Sequence, residues 1–107
     1  MVGRGRLEEH AFLFEWDEAK ATANYHKHRV SFELASSIFG DPRLVTLADT
    51  VHSESEERWF SVGLASNGAM ISIAYVRTDA GFGMIKIRII TSRRATATEI
   101  CYYSESQ

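Results

Sequence analysis

Apolar and polar positions alternate most clearly between Arg58 and Thr78, and Asn67-Gly68 divides that run in two. Asn-Gly between alternating strands is a strong signal for a two-residue hairpin turn, because both central residues need a left-handed backbone. Such a turn sets Leu64 opposite Ile71, Val62 opposite Ile73 and Phe60 opposite Tyr75 on one apolar face. Gly63, Ser61 and Trp59 then meet Ser72, Ala74 and Val76 on the other. Met84 to Ser92 alternates again, with Ile85, Ile87 and Ile89 on one face and Lys86 and Arg88 on the other, which predicts a third consecutive strand. Thr78 to Gly83 reads as a turn-rich loop between strands. Upstream, the aromatic run Phe12 to Trp16 and the stretch Arg43 to Ala48 each read as a short strand.

Helical spacing occupies the remainder. Asp17 can cap a helix running to about His28, although Ala19, Ala23 and Tyr25 offer it little to bury. Ser31 caps a second helix that carries Phe32, Ala35, Ile38 and Phe39 on one side and stops at Gly40 and Asp41-Pro42. Thr96 and Glu99 form a capping-box pattern opening a short last helix, with Tyr102 and Tyr103 near its end. The order strand, helix, helix, four strands, helix predicts an α+β domain. The expected architecture is an antiparallel sheet of about four to five strands with two N-terminal helices and a short C-terminal helix. Residues 1–11, polar and bearing Arg4, Arg6, Glu8 and Glu9, are expected to form a flexible leader to a single domain at 12–107.

Composition adds little to the fold and something to the function. A chain of 107 residues, 45% hydrophobic and 24% charged, is an ordinary globular balance. No apolar run approaches the roughly 20 residues that span a bilayer, and the first ten residues do not have the apolar stretch of a signal peptide. Cys101 is the only cysteine, so no internal disulfide can form, and a cytoplasmic location is the expectation. Charge is uneven. Met1 to Glu57 holds six Lys/Arg against eleven Asp/Glu, whereas Arg58 to Arg94 holds six Lys/Arg against Asp79 alone. A basic half on an acidic chain points to a localised anion-binding surface, unless folding mixes the halves in space.

The same hairpin register sets Arg58 opposite Arg77, at the open end of the apolar face. Like charges directly across a ladder repel. A phosphate between two guanidinium forks relieves that repulsion, as does an acid such as Glu57, Asp49 or Asp79. Metal chemistry has little support, because His10, His26, His28 and His52 are scattered and neither a His-Glu-x-x-His motif nor a cysteine pair is present. No metal and no cofactor is expected. Glu54, Glu56 and Glu57 cluster with His52, which reads either as carboxylate chemistry or as a solvated acidic loop. Gly81-Phe82-Gly83 is too short for a dinucleotide fingerprint. Cys101 reads as a half-buried, inert thiol. Trp59, Tyr102 or Tyr103 could stack a base, with a place in the core the competing role for Trp59.

An ordered series of residues resembles the BrnT family of toxins. It begins with Phe14-Glu15-Trp16-Asp17, Lys20, Asn24, Lys27-His28, Val30-Ser31-Phe32 and Asp41-Pro42. It continues with His52, Glu56-Glu57-Arg58, Gly63, Arg77, the run Arg88 to Thr96, and Glu99. The resemblance covers about Phe12 to Tyr103. It implies a RelE-like fold and a metal-independent ribonuclease that inhibits translation. It also implies a BrnA-like antitoxin with a ribbon-helix-helix segment, through which the complex would bind its own operator DNA. Arg58, Arg77 and Arg93 fall on family arginine positions, so the resemblance implies a catalytic role for them. Lys86, Arg88 and Arg94 are expected to bind RNA, and His52 or Glu57 to act as general base. The family has Gly where Arg29 stands, so the end of the first helix is expected to differ.

Two other classes remain open: an inert corepressor that acts only with an antitoxin, and a generic nucleic-acid-binding module. One geometric difficulty also stands. An antiparallel strand at 84–92 carries Arg93 toward Asn67-Gly68 and away from Arg58 and Arg77, unless the strand is twisted or broken.

Overall fold

The computed structural model describes residues 2–7, 10–49 and 57–107, with side chains from Ala11 onward. Among the described residues six strands form one sheet: β1 (Val2–Leu7), β2 (His10–Glu15), β3 (Val45–Ala48), β4 (Arg58–Leu64), β5 (Met70–Gly81) and β6 (Met84–Arg94). They are ordered β1-β2-β6-β5-β4-β3. β2 and β6 run parallel and the other neighbours antiparallel, so the α+β sheet is mixed. A parallel pair requires a long crossover, and here the helices and the β3–β5 meander supply it. β1 lies within the segment read as a leader; it pairs with β2 through its backbone from Val2–Glu15 to Leu7–His10.

One face of the sheet is the core face. Phe12 and Phe14 of β2, Ile71, Ile73 and Tyr75 of β5, and Ile85, Ile87 and Ile89 of β6 are buried there. Against them pack Val30, Phe32 and Ala35 from around α2 (Phe32–Ser36), then Ile38 and Phe39 from a 3-10 turn, Ser37–Gly40. Aromatic rings fill the centre: Phe39 lies 5.2 Å from Phe12, 5.4 Å from Phe14 and 5.3 Å from Tyr75, centroid to centroid. α1 (Glu18–His28) is different. Its one buried residue is polar, Asn24. That amide donates to the Ser92 carbonyl (2.9 Å), the Ser92 hydroxyl (3.0 Å) and the Val30 carbonyl (3.1 Å), and accepts from Ser92 N–H (3.1 Å). A helix with little apolar surface is thus held to β6 by hydrogen bonds.

α1 ends where the sequence pattern placed its end, despite the missing glycine. Arg29 itself takes the left-handed conformation, φ 59°, and its N–H donates to the Tyr25 carbonyl at 2.8 Å. Its guanidinium sits over the Tyr25 ring, 5.7 Å from the centroid.

The hairpin corrects the sequence reading. The loop between β4 and β5 has three residues, not two. Ala65 N–H donates to Ala69 O (2.8 Å), Gly68 N–H donates to Ala65 O (2.9 Å), and Gly68 has φ 87°. This is a turn over Ser66-Asn67 followed by a left-handed glycine, the usual three-residue hairpin closure. The extra loop residue shifts the ladder by one position. Arg58 pairs with Val76, Trp59 with Tyr75, Phe60 with Ala74 and Val62 with Ser72. β5 keeps its expected faces while β4 turns over, so Trp59, Ser61 and Gly63 join the core side. The segment read as a loop at 78–83 is mostly strand, since β5 reaches Gly81 and only Phe82-Gly83 turns. Among the described residues no helix is long and apolar enough to cross a membrane.

Candidate functional site

Register decides which basic side chains meet. With the ladder shifted, Arg58 and Arg77 are not partners: Arg58 lies opposite Val76, and Arg77 opposite Ile87, on the other face of the sheet. The cross-strand arginine clamp expected from a two-residue turn is therefore not formed. A different set assembles on the outer face. In one row Arg58, Val76 and Arg88 lie side by side across β4, β5 and β6. Two strand spacings, roughly 10 Å, separate the two arginines, within reach of one phosphate for side chains of that length. Lys86, opposite Thr78, occupies the next row toward the β5–β6 turn.

Arg93 reaches this face through a bulge. Ala74 pairs with Thr91 but Tyr75 pairs with Ile89, so Ile90 is an extra residue on β6. Strict alternation from Ile85, Ile87 and Ile89 would continue the core face through Thr91 and Arg93. The bulge exchanges the two sets. Ser92 becomes the buried residue that Asn24 holds, and Arg93 emerges opposite Ser72. The Arg94 backbone pairs with Ile71, on the core-face side, and its side chain is exposed. The strand is thus broken in the sense the geometric difficulty required. Arg93 nevertheless stays about two rows from Arg58.

α3 (Ala97–Glu105) closes that end of the outer face. Thr96 caps it, its hydroxyl accepting from Glu99 N–H while the Glu99 carboxylate accepts from Thr96 N–H at 2.9 Å. The same carboxylate receives both guanidinium nitrogens of Arg93, at 2.8 and 2.9 Å, and the Ser72 hydroxyl at 3.4 Å. Burial alone would raise the Glu99 carboxyl; the Arg93 fork and the Thr96 donors outweigh it and hold the group below the ordinary carboxylate range. Glu99 is thereby a poor proton acceptor at neutral pH and a firm support for Arg93. The far end of α3 is tied through Tyr103, whose hydroxyl donates to Asp41 at 2.8 Å. Asp41 also accepts from Leu64 N–H and Arg43 N–H. Between α3 and the arginine row lies a pocket lined by Asp49, Phe60, Ser72, Thr91, Arg93 and Glu99.

The other candidates are placed as follows. Glu57 is exposed just before β4, and His52, Glu54 and Glu56 lie outside the described residues. Trp59 is half-buried against the core, Tyr103 is bound to Asp41, and Tyr102 is exposed. Cys101 is exposed rather than half-buried; its thiol donates to Glu105 at 3.3 Å, and that carboxylate pushes the thiol up, so it stays protonated. Among the described residues no three His, Cys, Asp or Glu side chains gather as metal ligands would. Glu99 is the site residue that the sequence showed as a helix cap and as the last of the family series, without a role in the site. The spacing Arg93 to Glu99 across a capping box was the available signal.

Residues 16–99 match the family described as the ribonuclease toxin BrnT of type II toxin–antitoxin systems. The fold is similar to the crystal structure of the Brucella abortus ribonuclease toxin BrnT, with TM-score 0.50 and 18% identity over 78% of this chain and 95% of that one. No curated protein sequence matches the chain significantly.

Proposed function

The chain belongs to the BrnT family of type II toxin–antitoxin ribonucleases, and from that premise we propose that its outer sheet face binds RNA and cleaves it without a metal. The reading rests on one observation: the three-residue turn and the β6 bulge together bring Arg58, Arg88, Lys86 and Arg93 onto one face. On this reading the RNA 2′-hydroxyl passes its proton to a general base, for which the sequence offers His52 or Glu57, as its oxygen attacks the adjacent phosphorus; the bond to the 5′-oxygen breaks, that oxygen takes up a proton from water, and the products are a 2′,3′-cyclic phosphate and a 5′-hydroxyl. Arg58 and Arg88 flank the phosphate and stabilise the charge that grows on its non-bridging oxygens. Arg93, oriented by Glu99, marks the boundary of the site toward α3. Arg77 and Arg94, on the opposite side, stand outside it. The partner is a BrnA-like antitoxin with a ribbon-helix-helix segment, which neutralises the toxin in the cytoplasm and carries the complex to operator DNA.

The test compares purified variants on RNA. Arg58→Ala and Arg88→Ala should each lower the cleavage rate by about 10²–10³-fold, measured on protein whose circular dichroism shows it folded, whereas Arg77→Ala should cost only a few-fold. Equal losses in all three would refute the one-face arrangement. Expression of the chain alone should arrest growth, and co-expression of the antitoxin should restore it. Normal growth at high levels of folded protein, with operator binding intact, would establish the inert-corepressor alternative instead.

A further inference from the structure

Past Lys86 the β5–β6 hairpin closes on Phe82 and Gly83. Gly81 pairs with Met84, leaving two central residues with φ 54° and 74°, the left-handed pair of a type I′ turn. Asn or Gly commonly stands first in such a turn, because a Cβ at that φ crowds the following carbonyl and costs roughly 1 kcal/mol. Phe82 stands there instead, and its side chain is fully exposed at 104%. Neither backbone preference nor burial accounts for an aromatic ring at this point. The tip is nevertheless well held. Ala11 N–H donates to Gly83 O at 3.2 Å, and Gly81 N–H donates to the Asp79 carboxylate at 2.8 Å.

We propose that Phe82 is a stacking platform for an unpaired base of the RNA whose backbone crosses Arg58, Arg88 and Lys86. The inference rests on the reading of the outer face as the RNA surface. Single-stranded RNA offers two features to grip, its phosphates and the open faces of its bases. The cationic row supplies the first. The β5–β6 hairpin, whose second strand carries Lys86 and Arg88, ends on the exposed ring, which supplies the second. Because the turn backbone is already braced, little backbone freedom is lost when a base lands on the ring. Stacking tolerates any base, so Phe82 contributes grip and reading position along the strand rather than a hydrogen-bonded sequence code.

The experiment measures binding of a 2′-O-methyl RNA oligonucleotide, which cannot be cleaved because its nucleophile is blocked. Phe82→Ala and Phe82→Gly should weaken binding roughly five- to a hundredfold, and Phe82→Trp should bind at least as tightly as the unaltered protein. Across this series the slope of log Kd against log salt should stay constant, because no phosphate contact is lost, whereas Arg88→Ala should flatten it. Phe82→Gly should melt no earlier than the unaltered protein, since glycine relieves the left-handed strain, so weakened binding cannot be ascribed to unfolding. Replacing nucleotides of the oligonucleotide one at a time by abasic residues should find one position where Phe82→Ala has no further effect. Phe82→Ala binding within twofold of the unaltered protein, while Arg88→Ala is weakened, would overturn the proposal. So would a Phe82→Ala protein that binds RNA normally but escapes its antitoxin, which would make the ring a protein anchor. If Arg88→Ala also binds normally, the outer-face reading fails and the stacking proposal with it.

Discussion

Asn24 and Glu99 are two polar residues that hold helices where apolar surface does not. Asn24 satisfies Ser92 on both its N–H and its C=O, at the strand position just past the bulge. Asn24→Ala leaves buried backbone groups of Ser92 and Val30 short of partners, and should cost about 2–4 kcal/mol, read from chemical denaturation. It should also lower cleavage, because the bulge that presents Arg93 loses its support. Glu99 makes a pH prediction. Its folded pKa lies below the ordinary carboxylate value, as does that of Asp41, where hydrogen bonds from Leu64, Arg43 and Tyr103 overcome the effect of burial. A depressed carboxyl contributes stability that is fully present above the unfolded value near 4 and is lost as pH falls through the folded value. The melting temperature should therefore drop steeply below about pH 4, and Glu99→Gln should flatten that drop. At pH 7 Glu99→Gln should cost about 1–2 kcal/mol, the lower part of the range for a charged pair because the Arg93 side chain is 41% exposed. A Glu99→Gln variant with unchanged acid sensitivity would show that other carboxyls govern it.

At the scale of elements, the helices were legible from their caps. Asp17, Ser31 and Thr96 each accept the N–H three residues ahead, as their sequence positions foretold. Capping is local, so it survives folding unchanged. The strand pairing was only half legible. The alternation in β5 and β6 identified their faces, but the partner of β5 depended on the length of one turn. Asn67-Gly68 is compatible with both closures, and the difference of one residue reversed β4. The β6 bulge had no signal in its own sequence, and β1 had none either, because backbone pairing with β2 makes no demand on Gly3, Arg4 and Gly5. Two substitutions probe these elements. Arg29→Gly should raise stability by up to about 1 kcal/mol, since φ 59° suits glycine, less whatever the contact with Tyr25 contributes. Gly63→Ala should destabilise by about 1–3 kcal/mol, because the new Cβ would stand 2.9 Å from Leu44 Cδ1 and 3.1 Å from Ile38 Cβ. A Gly63→Ala protein that melts normally would mean that β4 lies farther from the 3-10 turn.

At the scale of the whole molecule, the charge asymmetry of the chain becomes partly an asymmetry of the fold. Of the six basic residues between Arg58 and Arg94, the register and the bulge set four on the outer face and turn Arg77 and Arg94 away. Cleavage that depends on those cations alone should survive EDTA, tested on RNA with the purified toxin. Loss of activity on chelation, restored by a divalent ion, would overturn the arginine-only chemistry. Binding should weaken steeply with salt, and each outer-face arginine removed should reduce the slope of log K against log salt by about 0.7 for a single strand. Arg77→Ala should leave that slope unchanged.

The sequence by itself determined the α+β class, the order of helices and strands from β2 onward, the caps, the core residues of β2, β5 and β6, and the BrnT family likeness. These follow from local periodicity, capping chemistry and an ordered series of residues, none of which depends on distant contacts. Only the tertiary structure decided which arginines share a face. That outcome hangs on two single-residue events, the left-handed Gly68 that lengthens a turn and the extra Ile90 that bulges a strand. Because side chains alternate with period two, each event moves everything beyond it to the opposite side of the sheet. The energetic preference for one register lies in packing against the helices and in the Asn24–Ser92 bonds, partners 68 residues apart in the chain, and no local pattern reports on them.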